Sequence, residues 1–190
     1  MNAFDTAVFK AINGLGFLPL DWAFYVVSTP EFGLGAAGLI ALYFAWRKRW
    51  EGFWVVVAGV LAVALCDSVG ARVVKPLFAR VRPCFALPRE SVRLLVAMGP
   101  SNSMPSLHAA NNAAAAIVAF LGERRTGWLL FPLALFVALS RVGLGVHWPT
   151  DLLGGFAWGG LCAAAGWGLM RLLRAALVRR AEPAKPQASS

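Results

Sequence analysis

The chain has only two histidines, His108 and His147, and each lies among groups suited to phosphate chemistry. Asp151 follows His147 by one helical turn, close enough to hold one imidazole nitrogen, fix the tautomer and leave the other nitrogen as a nucleophile. Three segments carry the remaining groups: KPLFARVRP from Lys75 to Pro83, SMPSLH from Ser103 to His108, and SRVGLGVHWPTD from Ser140 to Asp151. Lys75, Arg82 and Arg141 supply cations, and an arginine fork can take two oxygens of one phosphate. Ser106 adds a hydroxyl, and a helix beginning there adds free backbone N–H groups and a positive dipole end. No acidic pair or cluster suggests a metal, so side chains are expected to meet the phosphate charge without a cofactor.

Those segments need elements to bring them together, and the composition says what kind. Of 190 residues, 59% are hydrophobic and 14% charged, with eight Trp and thirteen Phe. Soluble globular domains carry about 25% charged residues. Mean hydropathy is +0.65, and the chain reads as an all-α integral membrane bundle. The net charge of +9 is explained by basic residues that flank spans and meet lipid headgroups, so no nucleic-acid partner is expected. Cys66, Cys84 and Cys162 offer neither a disulfide framework nor a zinc spacing. No basic segment precedes the first apolar stretch, so a cleavable signal is not expected.

A crossing takes about 20 apolar residues. Segments 31–46, 52–75, 105–122, 126–140 and 152–170 qualify, and 4–30 is a weaker candidate, either a kinked span or an interfacial helix leading into a short one. Six crossings are expected, with residues 1–178 as one membrane-embedded domain and 179–190 as a cytoplasmic disordered tail. The basic turns at 47–49 and 123–125 and the arginines from Arg171 to Arg180 then share one face, which the positive-inside bias makes cytoplasmic. The three polar segments share the opposite, extracytoplasmic face.

Alternatives stand beside each assignment. Single cations at span ends often snorkel to headgroups; the alternative for Ser106 is a helix cap alone, and for Asp151 a cap on the last helix in place of orienting His147. Arg80, Arg89 and Arg93 read as loop or headgroup cations, Trp148 as an interface anchor, and Asn111 and Asn112 as interhelical hydrogen-bonding groups. Gly155 and Gly159 are spaced for close helix approach, within the bundle rather than between copies. The conjunction of both histidines, three cations and one aspartate on one face favours a phosphate site.

The three segments resemble the type 2 phosphatidic acid phosphatase superfamily, the membrane lipid phosphate phosphatases. Lys75 to Pro83 matches its Lys-x6-Arg-Pro motif and Ser140 to Asp151 its Ser-Arg-x5-His-x3-Asp motif. Residues 105–108 match Pro-Ser-Gly-His except that Leu107 replaces glycine. The resemblance implies that His147 attacks phosphorus to form a phosphohistidine, with Asp151 orienting it. His108 would protonate the leaving oxygen and later activate water. Lys75, Arg82, Arg141, Ser106 and the backbone N–H of Leu107 would hold the phosphate oxygens. For a bacterial member in the inner membrane with a periplasm-facing site, it implies a lipid phosphate substrate. Undecaprenyl diphosphate is the first candidate, phosphatidylglycerol phosphate and lipid A phosphates the next. A lipid-to-lipid phosphotransferase, which can carry a non-glycine residue at position 107, and a non-catalytic lipid-phosphate transporter are the rivals.

Overall fold

The computed structural model describes residues 3–181, so most of the expected tail lies outside the described residues; helix continues through 179 and 180. Six helices of ten or more residues are present: α1 (Ala3–Gly14), α2 (Leu18–Val27), α3 (Pro30–Val69), α4 (Leu107–Gly122), α5 (Arg124–Gly143) and α6 (Pro149–Ala181). Among the described residues there is no strand. Helices α3, α5 and α6 are long and apolar enough to cross a membrane, and α4 is a shorter apolar helix.

The 40 residues of α3 are not one rod. Arg49 adopts φ 50° and ψ −119°, which breaks the helix and turns the chain back on itself. A Cβ added at Gly52 would strike the carbonyl of Phe44, a contact open only to glycine after such a reversal. The limbs 30–48 and 50–69 therefore form the hairpin expected from the basic turn at 47–49. Thr29 caps the first limb by accepting from the Phe32 N–H at 3.3 Å, with Pro30 in its first turn. The second limb passes through a π-helical stretch, Gly70–Val74, into a last turn, Lys75–Phe78.

Close packing is built from small residues, as suits a bundle in which van der Waals contact drives association. Ala110 and Ala114 of α4, Ala58 and Ala62 of α3 and Ala163 of α6 are buried in one cluster. Added Cβ atoms at Gly155 and Gly159 would meet Ser106 and Ala110 of α4, and one at Gly166 would meet Ala58 and Ala62. The glycine pair thus serves packing inside the bundle.

Segment 4–30 departs from a single span. It is two helices of 12 and 10 residues, each shorter than a crossing requires. Both pack at the end of the bundle where α5 meets α6: Phe9 on Ala138, Val142 and Trp148, and Phe24 on Leu144, Val146 and Phe136. Asn13 fastens α1 there, donating to the carbonyls of Arg93 at 2.9 Å and Gly143 at 2.8 Å. At the opposite end Lys48 pairs with Glu123 at 3.4 Å and Arg174 with Glu51, so the three basic turns converge as expected.

Candidate active site

The three polar segments meet at one end of the bundle. The Ser106 N–H donates to the Asp151 carbonyl at 3.0 Å, which docks the start of α4 on the start of α6. After α5, Gly145 takes φ 85°, a left-handed conformation that favours glycine. The chain then curls so that the N–H groups of Val146 and His147 both donate to the Arg141 carbonyl, at 3.1 and 3.2 Å. Arg141 and His147 are thereby held in one compact turn.

His147 is 2% exposed and lies between two partners that together set its tautomer. Arg82 Nη1 lies 3.0 Å from Nε2, and a guanidinium can only donate, so Nε2 bears the lone pair. Nδ1 therefore carries the proton and donates to Asp151 Oδ2 at 3.2 Å. Burial holds the imidazole pKa below its ordinary value; the Asp151 hydrogen bond opposes this, and the Arg82 charge adds to it. The neutral ring with Nε2 free of hydrogen is the form a nucleophile needs.

Asp151 is fully buried and satisfied on both oxygens. Oδ2 also accepts the Trp148 N–H at 2.8 Å, so the residue caps α6 and orients His147 at once. Oδ1 takes Arg80 Nη1 at 2.7 Å. Arg80 also donates to Thr150 Oγ1 at 2.6 Å, pairs with Asp5 of α1, and lies 5.6 Å over the Trp148 ring. Burial alone would raise the Asp5 pKa, but Arg80 and the two Thr150 donors outweigh it and hold the carboxyl below its usual range. Arg80 is thus no headgroup cation. Trp148 is not an interface anchor either: it is 1% exposed, with Nε1 donating to the Val81 carbonyl at 2.9 Å. Arg93, bonded to the Asn13 carbonyl and paired with Asp21, ties the two N-terminal helices to the loop.

The other expected residues line the same space, except Ser106, which is fully buried beside it. A cavity of about 680 Å³ is walled by Lys75, Arg82, Leu107, His108, Arg141 and His147 at its polar end. Lys75 Nζ donates to the Asn102 carbonyl at 2.9 Å, and Arg82 spans Ser101, Asn102 and Val146. Arg141 is 6% exposed, and its Nε has no hydrogen-bond partner among the described residues. A buried guanidinium with an unmet donor suits an anionic ligand. Ser106 caps α4 by accepting from the Ala109 N–H at 3.4 Å, and His108 Nε2 donates to the Ser28 carbonyl at 3.3 Å. Leu107, which lines the cavity, also packs against Gly70, where an added Cβ would come within 2.7 Å of its Cδ2. The cavity is also lined by Thr29, by Gly33, Ala37 and Ile40 of the first α3 limb, and by Asn112, Ala115 and Ala116 of α4.

Asp5, Thr150 and Arg80 were not anticipated as parts of this site. Their signal was present: Asp5 is an acid in an otherwise apolar segment, and Arg80 falls inside the first motif segment. Asn111 does bridge helices, donating to Asp67 at 2.9 Å, whereas Asn112 donates within its own helix to the His108 carbonyl.

Comparison with known proteins agrees with this geometry. The chain is 31% identical over 157 residues to the bacitracin transport permease protein BcrC of Bacillus licheniformis, covering 82% of this chain and 75% of that one. It is 28% identical over 148 residues to the undecaprenyl-diphosphatase BcrC of Bacillus subtilis, covering 77% and 74%. The crystal structure of Aquifex aeolicus LpxE superposes with a TM-score of 0.72 at 28% identity, covering 87% of this chain and 95% of that one. Residues 51–174, which hold all three polar segments, match the PAP2 superfamily, and the chain belongs to that superfamily.

Proposed function

We propose that this protein hydrolyses a membrane lipid phosphate through a phosphohistidine formed on His147. The carrying observation is the placement of His147 between Arg82 and Asp151, which leaves Nε2 unprotonated, in a cavity lined by Lys75, Arg82 and Arg141. Nε2 attacks phosphorus and the bond from phosphorus to the lipid oxygen breaks, with His108 delivering a proton to that oxygen. His108 then takes a proton from water, whose oxygen attacks phosphorus, releasing inorganic phosphate and restoring His147. Lys75, Arg82, Arg141, Ser106 and the Leu107 N–H hold the phosphoryl oxygens, in keeping with a reaction that depends on positioning and charge neutralisation. No metal is needed for either step.

Undecaprenyl diphosphate, phosphatidylglycerol phosphate and lipid A phosphates are the candidate substrates. The relatives support all three: besides the undecaprenyl-diphosphatase, they include a lipid A 4'-phosphatase of Porphyromonas gingivalis and the phosphatidylglycerophosphatase B of Bacillus subtilis. The protein sits in a bacterial inner membrane, with the basic end in the cytoplasm and the site at the periplasmic face. On this reading α1 and α2 lie along that face and the chain crosses five times.

The test is release of inorganic phosphate by the purified protein in detergent with EDTA, using the three lipids and phosphatidic acid. The expected result is release that His147→Ala abolishes while the variant stays folded. Release retained in His147→Ala would overturn the nucleophile assignment. Phosphate recovered on an acceptor lipid would show a transferase, and binding without turnover of any lipid a transporter.

A further inference from the structure

The cavity carries one polar pair that the phosphate chemistry leaves unused. Asp67 of α3 and Asn111 of α4 both line it, in the span of the bundle rather than at its polar end. Asn111 Nδ2 donates to Asp67 Oδ1 at 2.9 Å, and Asn111 is the one hydrogen-bond partner of Asp67 among the described residues. The cation nearest in sequence on that wall, Lys75, spends a donor on the Asn102 carbonyl instead. An ionisable group at membrane depth is costly and points to function, and here the carboxylate has only the Asn111 amide as a side-chain partner among the described residues.

The pair has a defined polarity. An ionised carboxylate only accepts, so the Asn111 amide is turned with Nδ2 toward Asp67 and Oδ1 away, and that oxygen is buried without a partner. Asp67 is exposed and lines the cavity, so its carboxylate keeps acceptor capacity that Asn111 does not use. His108, Asn111, Asn112 and Ala115 wall the cavity along one face of α4. Asn111 therefore lies about 5 Å along the helix from the imidazole that serves the leaving oxygen. A group held there belongs to the leaving alcohol, a few bonds from the ester oxygen.

We infer that Asp67, held by Asn111, is a specificity subsite that accepts a hydrogen bond from a hydroxyl or amide N–H of the leaving group. The substrate is then a lipid phosphate monoester whose alcohol carries such a donor beside the ester oxygen. Phosphatidylglycerol phosphate has a hydroxyl there and lipid A an amide. Phosphatidic acid has neither, and a polyprenyl diphosphate would bring a second phosphate charge toward the Asp67 carboxylate. A site built around a hydrogen bond discriminates strongly against analogues that lack the group. The inference rests on the catalytic reading above and narrows its substrates.

The experiment compares kcat/KM for phosphatidylglycerol phosphate with that for phosphatidic acid, in wild type, Asp67→Ala and Asp67→Asn. Wild type is expected to favour phosphatidylglycerol phosphate at least ~10-fold. Asp67→Ala should collapse that ratio toward one through the phosphatidylglycerol phosphate arm, and Asp67→Asn, which keeps an acceptor oxygen, should restore part of it. An unchanged ratio in Asp67→Ala, or equal losses on both lipids, overturns the subsite. Binding of the same two lipids to His147→Ala in nanodiscs, with and without Asp67→Ala, gives the comparison independently of turnover. Equal affinities there would overturn the subsite even if the catalytic reading failed.

Discussion

Asp151 has two oxygens and serves three donors: His147 Nδ1 and the Trp148 N–H on one, Arg80 on the other. Arg80 is the partner of Oδ1 and so helps fix the rotation of the carboxylate, which makes it a candidate positioning residue for His147. Arg80→Ala is expected to lower kcat at least ~10-fold with little change in KM, and Arg80→Lys to recover little, because a single ammonium cannot reach Asp5, Thr150 and Asp151 together. Lys75→Ala and Arg141→Ala should each cost about 100-fold or more in kcat/KM, the usual loss for a preorganised donor; wild-type rates would show that these cations only snorkel. Because burial and Arg82 hold the His147 pKa below 6.5, its neutral form persists in mild acid. The acid limb of kcat/KM should therefore lie below pH 6.5, and Arg82→Gln should move it upward, since one of the lowering causes is removed. The candidate site residues themselves were legible as three motifs, because the types and spacing that one chemistry demands are local in sequence. Arg80 was not singled out, since its partners Asp5 and Asp151 are distant in sequence and only the folded chain shows who claims which oxygen.

At the scale of elements, the turn between α5 and α6 carries the greatest demand. Gly145 is left-handed at φ 85°, and an added Cβ would approach the Arg93 carbonyl to 2.7 Å. Gly145→Ala should cost about 1–2 kcal/mol of stability and displace His147, two residues on, so kcat should fall further than substrate binding. A kcat equal to wild type would show that the turn is not what aims the imidazole. Leu107→Gly, by contrast, should keep activity, since the leucine packs on Gly70 while its backbone N–H is retained. The hairpin at 47–49 was readable from three consecutive basic residues between apolar runs. The outcome for 4–30 was not, because apolar content without periodic caps does not separate one kinked span from two short helices. What decides it is tertiary: Phe9 and Phe24 find partners at the site end, and Asn13 bonds there.

The whole molecule is electrically divided. One end gathers Lys48, Arg49, Arg124, Arg125, Arg171 and Arg174, while at the other Lys75, Arg82 and Arg141 line the cavity and Arg80 and Arg93 pair with Asp5, Asp151 and Asp21. On the proposed function the first set acts on orientation and the second on chemistry. Single cysteines placed at position 15 and position 125 should label from opposite faces of sealed vesicles, the first from outside. Labelling of both from one face would contradict the five-crossing arrangement. The most direct measurement of the central claim is capture of the covalent intermediate. Brief reaction with a lipid labelled on its reacting phosphate, quenched in alkali, should leave acid-labile, alkali-stable phosphate on the protein, at position 147. That label should be absent from His147→Ala and should persist longer in His108→Ala, where water is no longer activated. Turnover with no labelled protein in either background, or label that remains in His147→Ala, would contradict the account.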